Sequence, residues 1–421
     1  MRRVSELVYL ALGIFLITSA GLAQDLEISG QYRGEFEVRS ADSSYAHQQW
    51  LNLYFDKSLG QDAGMHLDVE LNSYGTNSVT PLFQEAYVDY YTDYIDWRFG
   101  KQVISWGSAY QLNPTSYFNP YDLTIINPGE KRMGVIAASA RYYGPQRIEI
   151  AGAITPFHST HQLPPGSERM LLAQTAAQVT QGLNQSVPGI TISPDPNNPY
   201  SIPVVPSTLE KTSGGFQVTK RGLWNFDVSL SGYHGYGKFF GVDEEATGNS
   251  ITVIPGQPNQ TDPLATVYFY YPEVNRVGLD IIGTLGDAGI WVEGIQNRYT
   301  NDHLDNAFSV VGGADYRFAN DLYLVGQGLY IQGRSEDEDD VTALMIHGTK
   351  TVFGFHGIEL TGLYDLESES YFLQPQFNYS LGNAVALEFG GTLVHLNNAQ
   401  YGSLFSEMIG DRVYGRLTVD F

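Results

Sequence analysis

The side chains best suited to chemistry are concentrated in one segment, RFGKQVISWGSAYQLNPTSYFNPYDLT, which occupies residues 98–124. It combines aromatic rings, amides and charged groups, which bind polar molecules reversibly by stacking and hydrogen bonding. Proline cannot join a strand ladder and restricts the residue before it, so the two Asn-Pro pairs predict a long, shaped loop. The candidate site residues of this segment are Arg98, Lys101, Gln102, Trp106, Tyr110, Asn113, Tyr117, Asn119 and Asp122.

Bond-making chemistry is not indicated, although the sequence has nine histidines. It contains no G-x-S-x-G elbow, no H-E-x-x-H pair and no phosphate-binding loop. His66 and Glu70 share one face of a predicted strand, but four strand residues separate them by about 13 Å, too far to share a proton or a metal ion. We therefore predict no catalytic residue, no metal, no cofactor and no enzymatic activity.

Alternating strands must position the candidate residues. In LEISGQYRGEFEVR, apolar residues such as Tyr32 and Phe36 alternate with charged residues such as Glu35 and Glu37. The last ten residues, RVYGRLTVDF, alternate in the same way and finish on Phe421. Many alternating runs have about ten residues or more, the length that a tilted strand needs to cross a bilayer. Strands of soluble sandwiches are usually about five or six residues long, so a membrane β-barrel is favoured over a soluble sandwich.

The alternation of short and long connections predicts the number of strands. Eight short turns, LGQDAG, YYTDY, YYGPQ, TKRGL, LGDAG, RFAND, FGFHG and SLGNA, are separated by nine longer polar segments. These connections join eighteen strands of an all-β, transmembrane, antiparallel up-and-down barrel with short periplasmic turns and long outer loops. Sixteen strands is the alternative, if Gly354–Gly357 is not a hairpin turn. No apolar run after residue 23 is long enough for a spanning helix, so only a barrel could cross a membrane.

The N-terminal sequence predicts export. Residues 1–23 contain Arg2 and Arg3, an apolar stretch and a small-x-small cleavage site, as in a secretory signal peptide; a retained membrane anchor is the alternative. Cleavage removes two arginines and one glutamate, which changes the formal net charge from −23 to −24 and leaves residues 24–421 as the barrel. Because the chain has no cysteine, it has neither a lipoprotein signal nor a disulfide framework. The negative charge argues against nucleic-acid binding.

Three segments depart from the barrel pattern. Residues 104–130 are predicted to fold inward and narrow the pore, because their five aromatic rings would form an unusually apolar loop in water; bracing of the barrel wall is the alternative. Residues 155–212 are predicted to form a long outer loop or a lid. The acidic run Ser335–Asp340 indicates either a solvated loop or a site for calcium or for cations that bridge lipopolysaccharide.

Three short motifs, Gly100-Lys101-Gln102, Trp106-Gly107 and Asn119-Pro120-Tyr121-Asp122, carry a family resemblance. Their order resembles that in the porin-like outer-membrane β-barrel family, in an uncharacterised porin group near the alginate-export barrels. The resemblance implies a passive outer-membrane channel or exporter. A terminal aromatic residue on an alternating strand, here Phe421, also resembles the assembly signal of Gram-negative outer-membrane proteins, which the barrel insertion machinery reads.

We therefore predict a porin-like channel in the outer membrane that passes small polar or charged solutes without an energy source. Its partners would be outer-membrane lipid and lipopolysaccharide, the insertion machinery and the solutes, and a homo-oligomer is left open. Export of a polysaccharide or another secreted product is an alternative, as is a surface receptor or adhesin. An outer-membrane hydrolase is the least favoured function.

Overall fold

The computed structural model describes residues 26–39, 44–74, 79–123, 131–162, 190–194, 205, 207–238, 241–243, 249–255, 265–300, 304–333, 340–397 and 410–421. The predicted signal peptide, residues 124–130 of the predicted inward loop and most of residues 155–212 lie outside these ranges. So does the acidic run, apart from Asp340.

Strands dominate the described ranges. In chain order they are β1 (Leu26–Arg39), β2 (Tyr45–Ser58), β3 (Ala63–Tyr74), β4 (Thr80–Tyr91), β5 (Ile95–Gln102), β6 (Val135–Gly144), β7 (Ile148–Thr155), β8 (Ile190–Pro194), β9 (Ser213–Leu223), β10 (Phe226–Tyr236), β11 (Gly241–Asp243), β12 (Asn249–Pro255), β13 (Ala265–Tyr270), β14 (Glu273–Leu285), β15 (Ala288–Tyr299), β16 (Ala307–Arg317), β17 (Leu322–Ile331), β18 (Val341–Val352), β19 (His356–Asp365), β20 (Tyr371–Ser380), β21 (Val385–His395) and β22 (Arg412–Asp420). Single 3-10 turns occur at Pro145–Arg147 and Leu209–Lys211. Within the same ranges, no helix is long and apolar enough to cross a bilayer.

Eighteen of these strands, all except β8 and β11–β13, form one closed antiparallel sheet. Each pairs with the next wall strand along the chain, and β22 returns to pair with β1. This confirms the predicted eighteen-strand up-and-down barrel and excludes the sixteen-strand alternative, because β18 and β19 form the hairpin in question. The short turns alternate with the longer connections, which places the two kinds of connection at opposite ends of the barrel.

One short turn lies slightly further along the chain than the sequence predicted. The sequence TKRGL suggested a turn at 219–223, but these residues belong to β9, and the chain reverses at Trp224 and Asn225. Both turn residues have positive φ, 52° and 73°, as a two-residue hairpin turn of type I′ requires. Asparagine tolerates this conformation well, which explains the location of the turn.

The alternation of each wall strand separates an apolar outer surface from a polar interior. In β22, for example, the side chain of Val413 is 63% exposed on the outside, whereas Tyr414 faces inward and is 4% exposed. Arg412 and Arg416 also face inward and form ion pairs with Glu37 and Glu35 of β1, at 3.0 and 2.8 Å. The inner charges are therefore partly used to join neighbouring strands.

The seam between the first and last strands closes the barrel. Phe421 follows β22 and continues its pairing, since its backbone N–H donates to the carbonyl of Gly30 at 2.9 Å and its carbonyl accepts from the N–H of Gly30 at 2.8 Å. The Phe421 ring covers Gly30, where a Cβ atom would lie 2.6 Å from the ring. Glycine at position 30 thus allows the terminal ring to approach the first strand.

A second, smaller sheet is built from the long connections that follow β7 and β10. Its four strands are ordered β11-β13-β12-β8, so β8 of the first connection pairs with β12 of the second. The sequence did not predict this sheet, because its strands are short and lie within polar segments. The described part of the predicted 155–212 loop therefore includes a strand.

Candidate functional site

The chain leaves the wall after β5 and returns to it at β6, and the described residues between them, 103–123 and 131–134, are called here the inner segment. Its aromatic side chains are buried rather than solvated: Trp106, Tyr117 and Phe118 are 4%, 1% and 1% exposed. They pack with Ala137, Ala153 and Tyr233 of the wall into the main apolar cluster of the described residues. The largest apolar cluster of the described residues thus lies inside the barrel.

Geometry within this cluster fixes the rings. The Trp106 and Phe118 rings meet edge to face with centroids 5.1 Å apart, and Phe118 meets Tyr233 of β10 in the same way at 5.2 Å. The Tyr117 hydroxyl lies 3.0 Å from the Ser231 hydroxyl, and burial raises the pKa of Tyr117. Edge-to-face pairs and a satisfied hydroxyl favour one fixed arrangement. These aromatic residues anchor the inner segment.

Asn119 ties the outgoing and returning limbs of the inner segment together. Its side-chain oxygen accepts from the Ile104 N–H at 2.7 Å, and its amide nitrogen donates to the carbonyls of Gln102 and Met133 at 3.2 and 2.7 Å. The side chain of Gln102 is also buried, donating to the Ala137 carbonyl at 3.1 Å. The Gln102 amide oxygen in turn accepts from the Ser139 hydroxyl at 2.6 Å. Both amides therefore have protein partners that fix the path of the loop.

A fully buried carboxylate on the wall, Glu293 of β15, receives the middle of the inner segment. One of its oxygens accepts from the backbone N–H groups of Ser108 and Ala109, and the other accepts from the Thr115 hydroxyl at 2.8 Å. The Thr115 N–H and the Asn113 amide lie 3.3 and 3.5 Å from the same carboxylate. Hydrogen bonds to a charged acceptor are stronger than neutral ones, so this cluster is a strong attachment.

Gly107 permits the close approach of the segment to Glu293. Its φ is +86°, and a Cβ atom would lie 2.6 Å from a Glu293 oxygen. A side chain at this position would meet both a conformational and a steric obstacle. The Trp-Gly pair that stood out in the sequence therefore combines a buried ring with the backbone freedom that the carboxylate contact needs.

The middle of the inner segment also reaches the opposite side of the wall, at Tyr110. The Tyr110 ring stacks on the ring of His347 in β18, with centroids 4.7 Å apart, and β18 is nine wall strands from β5 in the ring of eighteen. Gln327 of β17 accepts from the Tyr110 N–H and donates to the Tyr110 carbonyl, both at 3.1 Å, while Trp291 holds the Gln327 oxygen at 2.9 Å. The segment thus crosses the lumen.

The returning limb carries a polar network. Arg132 donates to Asn113 and to the Tyr121 hydroxyl, at 3.2 and 2.8 Å, and its guanidinium lies over the Tyr121 ring. Asp122 is 1% exposed, with a carboxylate oxygen 3.7 Å from the Lys131 ammonium. The Tyr121 N–H donates to His161, whose pKa is lowered to about 4 by burial and by nearby Lys238.

Of the three candidate residues on β5, Arg98 and Gln102 face inward and Lys101 faces outward. Arg98 faces the lumen, where it pairs with Asp89 at 2.6 Å and lies over the Tyr87 ring. Lys101 shares the outward face of β5 with Phe99, pairs with outward-facing Ile136 and donates to the Phe83 carbonyl at 2.5 Å. Lys101 was predicted to line the pore, but its side chain points out of the barrel. Successive side chains of a strand point to opposite faces, and those of Arg98 and Gln102 occupy the inward face of β5.

Eight of the nine candidates therefore lie in or beside the inner segment, and only Lys101 points away. The sequence did not single out Glu293, Gln327 or Arg132. Alternation along β15 and β17 indicates that Glu293 and Gln327 face inward. No local pattern, however, indicates which inward residue meets a loop that is 185 or 217 positions away. Within the described ranges, no group of three His, Cys, Asp or Glu side chains is arranged to hold a metal ion.

Two polar cavities border the inner segment. One, of about 360 Å³, lies against β4–β7 and is lined by Arg98, Ser105 and Arg141 among others. The other, of about 280 Å³, lies against β1–β4 and the returning limb, with Tyr54, Asp68 and Lys131 in its lining. The inner segment thus has polar space on both sides, lined by ionic and hydrogen-bonding groups.

Comparison with known proteins adds information at the level of the fold. No protein-family model and no curated protein matches the sequence. Among solved structures, the chain is similar to the outer-membrane protein OpdK of Pseudomonas aeruginosa, with a TM-score of 0.55 and 8% identity, covering 94% of this chain and 98% of that one. It is also similar to OccK11 (OpdR) of Pseudomonas aeruginosa, with a TM-score of 0.52, 9% identity and coverage of 94% and 96%.

The outer membrane channel DcaP of Acinetobacter baumannii aligns at a TM-score of 0.44 and 12% identity, over 94% of this chain and 97% of that one. Together with the closed eighteen-strand wall, the two stronger similarities confirm the predicted porin-like β-barrel fold. The link to the alginate-export barrels stays a prediction.

Proposed function

We propose that this barrel is an outer-membrane channel for passive passage of small polar or charged solutes, and that the loop 104–130 narrows it. The observation that carries the proposal is the position of the inner segment, which runs from β5 to Tyr110 against β18 and is flanked by polar cavities. An apolar outer surface suits lipid, and a charged interior suits water and hydrophilic solutes.

Three features of the inner segment support a fixed constriction over a mobile flap. Its rings are buried in the largest apolar cluster, its limbs are tied by Asn119, and its middle is bonded to Glu293. Bracing of the wall is compatible with the same contacts, so the two roles differ in what happens to conductance when the loop is shortened. The polar groups left for solutes are then those that line the cavities beside the segment.

The test is single-channel recording of the purified barrel in a planar bilayer. A variant in which residues 108–115 are replaced by two glycines should keep the heat-dependent gel migration of a folded barrel and show a clearly larger conductance. A matched control shortens the outer connection between β17 and β18. Equal conductance of the loop variant and the unaltered barrel would reject the constriction and favour simple bracing.

Accessibility gives an independent readout, because the chain has no cysteine of its own. The variants Tyr110→Cys and Tyr117→Cys should react slowly with a membrane-impermeant thiol reagent on whole cells, compared with Asp337→Cys in an outer connection. Equally fast labelling at all three positions would mean that the loop points outward. A barrel without any conductance that binds ligand would be a receptor or adhesin, and lipid hydrolysis would identify an enzyme.

A further inference from the structure

The cavity beside β1–β4 contains an amide that the barrel itself does not use. Gln84 is 5% exposed, lines this cavity, and neither of its side-chain amide atoms has a hydrogen-bond partner within the described part of the chain. Buried amides are almost always paired, and an unpaired one is costly. An occupant of the cavity that both accepts and donates would supply the missing hydrogen bonds.

A β-bulge explains how Gln84 comes to face inward. The pairing of β3 with β4 shifts between Asp68 and Val69, so Asp68 lies opposite Glu85 and Val69 lies opposite Phe83. Gln84 is the extra residue, and the bulge lets the adjacent side chains of Gln84 and Glu85 both line the cavity. Bulges are often found where a strand must redirect a side chain toward a functional site.

The cavity also carries charges of both signs in balance. Three carboxylates and three cationic groups line it: Asp68, Glu70, Glu85, Arg33, Lys131 and Arg132. A solute with a net charge would lose hydration there without a net countercharge, whereas a solute with one charge of each sign would be matched at both ends.

Some of these charged groups already have protein partners. Glu70 pairs with Lys131, and Glu85 accepts from the Val103 N–H at 2.7 Å. One carboxylate oxygen of Asp68, in contrast, has no hydrogen-bond partner within the described residues. Asp68 and Gln84 therefore offer the available groups: an anionic acceptor, an amide donor and an amide acceptor.

We propose that this cavity is a binding site for a small zwitterion that carries one ammonium and one carboxylate group, such as an α-amino acid. The ammonium donates to Asp68 and to the Gln84 amide oxygen, and the carboxylate accepts from the Gln84 amide nitrogen on the side of the cationic groups. The volume of about 280 Å³ lies just below the range of about 300–1,000 Å³ typical of drug-sized ligands, which favours a small molecule. The proposal rests on the proposed channel function and names its solute class.

The test compares three solutes of nearly equal size: L-alanine, the cation L-alaninamide and the anion L-lactate. Titration of the purified, folded barrel in detergent should show saturable binding of alanine and at least tenfold weaker binding of the other two. Gln84→Met keeps the length of the side chain and removes both polar atoms. We expect it to weaken alanine binding about tenfold or more while the barrel becomes no less resistant to heat.

A second variant and a second assay separate the site from the channel. Asp68→Asn should weaken alanine and alaninamide and spare lactate, whereas Glu367→Asn in an outer turn should change none of them. Equal binding of all three solutes, or alanine binding that Gln84→Met leaves unchanged, would overturn the site and indicate that water alone occupies the cavity. Alanine binding by a barrel that is silent in bilayers would keep the site and reject the channel.

Discussion

One of the wall carboxylates that hold the inner segment, Glu293, has no cation among its hydrogen-bond partners in the described residues. Its partners are N–H and O–H donors of Ser108, Ala109, Asn113 and Thr115. Several donors directed at one carboxylate compensate for the water that it loses on burial. The strength of the attachment therefore depends on the negative charge, and not only on the shape of the side chain.

The variant Glu293→Gln tests this dependence. Glutamine keeps one acceptor but turns an NH₂ group toward donors, so we expect the attachment to weaken by about 1–3 kcal/mol. In bilayers the variant should show a larger mean conductance and more open-channel noise, with the gel migration of a folded barrel unchanged. Glu367→Gln, in an exposed outer turn, is the matched control. Identical traces for Glu293→Gln and the unaltered protein would contradict the assigned role.

His161 predicts a pH-dependent link between two loops. It accepts the Tyr121 N–H, and its pKa of about 4 in the folded state is below the value of about 6.5 expected when the loop opens. The closed state thus binds fewer protons, so lowering the pH from about 6.5 toward 4 destabilises the link, by ~2 kcal/mol at pH 5 relative to neutral pH. Amide exchange at Leu123 and Gln162 should accelerate at pH 5 beyond the intrinsic rate change.

The variant His161→Gln should abolish this dependence, whereas His66→Gln, in wall strand β3, should retain it. Equal protection of Leu123 and Gln162 at pH 7 and pH 5 in the unaltered protein would show that His161 does not control the link. Both amides take part in hydrogen bonds between the inner segment and residues 161–162.

At the scale of residues, the sequence predicted which kinds of side chain form the site better than it predicted their contacts. Aromatic content and the Asn-Pro pairs predicted a shaped loop that needs a surface to pack on, and the rings at 106, 117 and 118 are buried against the wall. Asn119, however, is bonded to backbone groups on both limbs of the inner segment. The wall residues that hold the segment, Glu293 and Gln327, lie far along the chain from it. Such pairings arise only when the closed wall brings distant strands opposite the loop, so no local pattern contains them.

At the scale of elements, the β1–β22 seam depends on the last residue. Phe421 contributes two backbone hydrogen bonds to Gly30 and covers that glycine with its ring. Deleting Phe421 should therefore reduce the fraction of protein that reaches the folded, heat-resistant form much more than it reduces synthesis. Gel electrophoresis of unboiled and boiled membrane fractions measures the folded fraction, and boiled samples of total cell protein measure the amount synthesised.

Phe421→Leu serves as the control for the seam, because it keeps the backbone hydrogen bonds and an apolar side chain. It should assemble better than the deletion. Normal assembly of the deletion variant would remove the terminal residue from the closing mechanism.

Strands and turns were predictable because alternation and turn residues are local signals. The sequence FGFHG correctly predicted the hairpin between β18 and β19. The β9–β10 turn was predicted a few residues too early, because glycine is a stronger turn signal than Trp224 and Asn225, and Gly222 precedes them. The four-strand sheet was missed for a different reason. Its strands pair residues of two separate connections, as β8 does with β12, and each strand alone is too short to stand out.

At the scale of the whole molecule, the acidic balance of the chain predicts a weak cation preference. The sequence places acidic residues in the outer connections, at 243–245 and 336–340, and the formal charge without residues 1–23 is −24. A rim of this kind concentrates cations at low salt, where the Debye length is about 10 Å at 0.1 M, and loses its effect near 1 M, where it is about 3 Å.

Reversal potentials in a potassium chloride gradient should therefore indicate cation preference at low salt and little preference at high salt. Replacing the four acidic residues at 336–339 with serine should move the low-salt potential toward zero. A clear anion preference of the unaltered barrel would show that the arginines inside the barrel outweigh the acidic rim.

The seam between β1 and β22 also determines the order in which strand pairs form during assembly. Every other neighbouring pair in the wall joins consecutive wall strands, but the seam brings together residues as distant as Gln31 and Asp420, 389 positions apart. Hairpins can form as soon as both of their strands are available, whereas β1 must wait for the whole chain with an unpaired edge. Closure is therefore expected to be the slow, final event of assembly. During that interval the growing sheet is most exposed to pairing with a wrong partner.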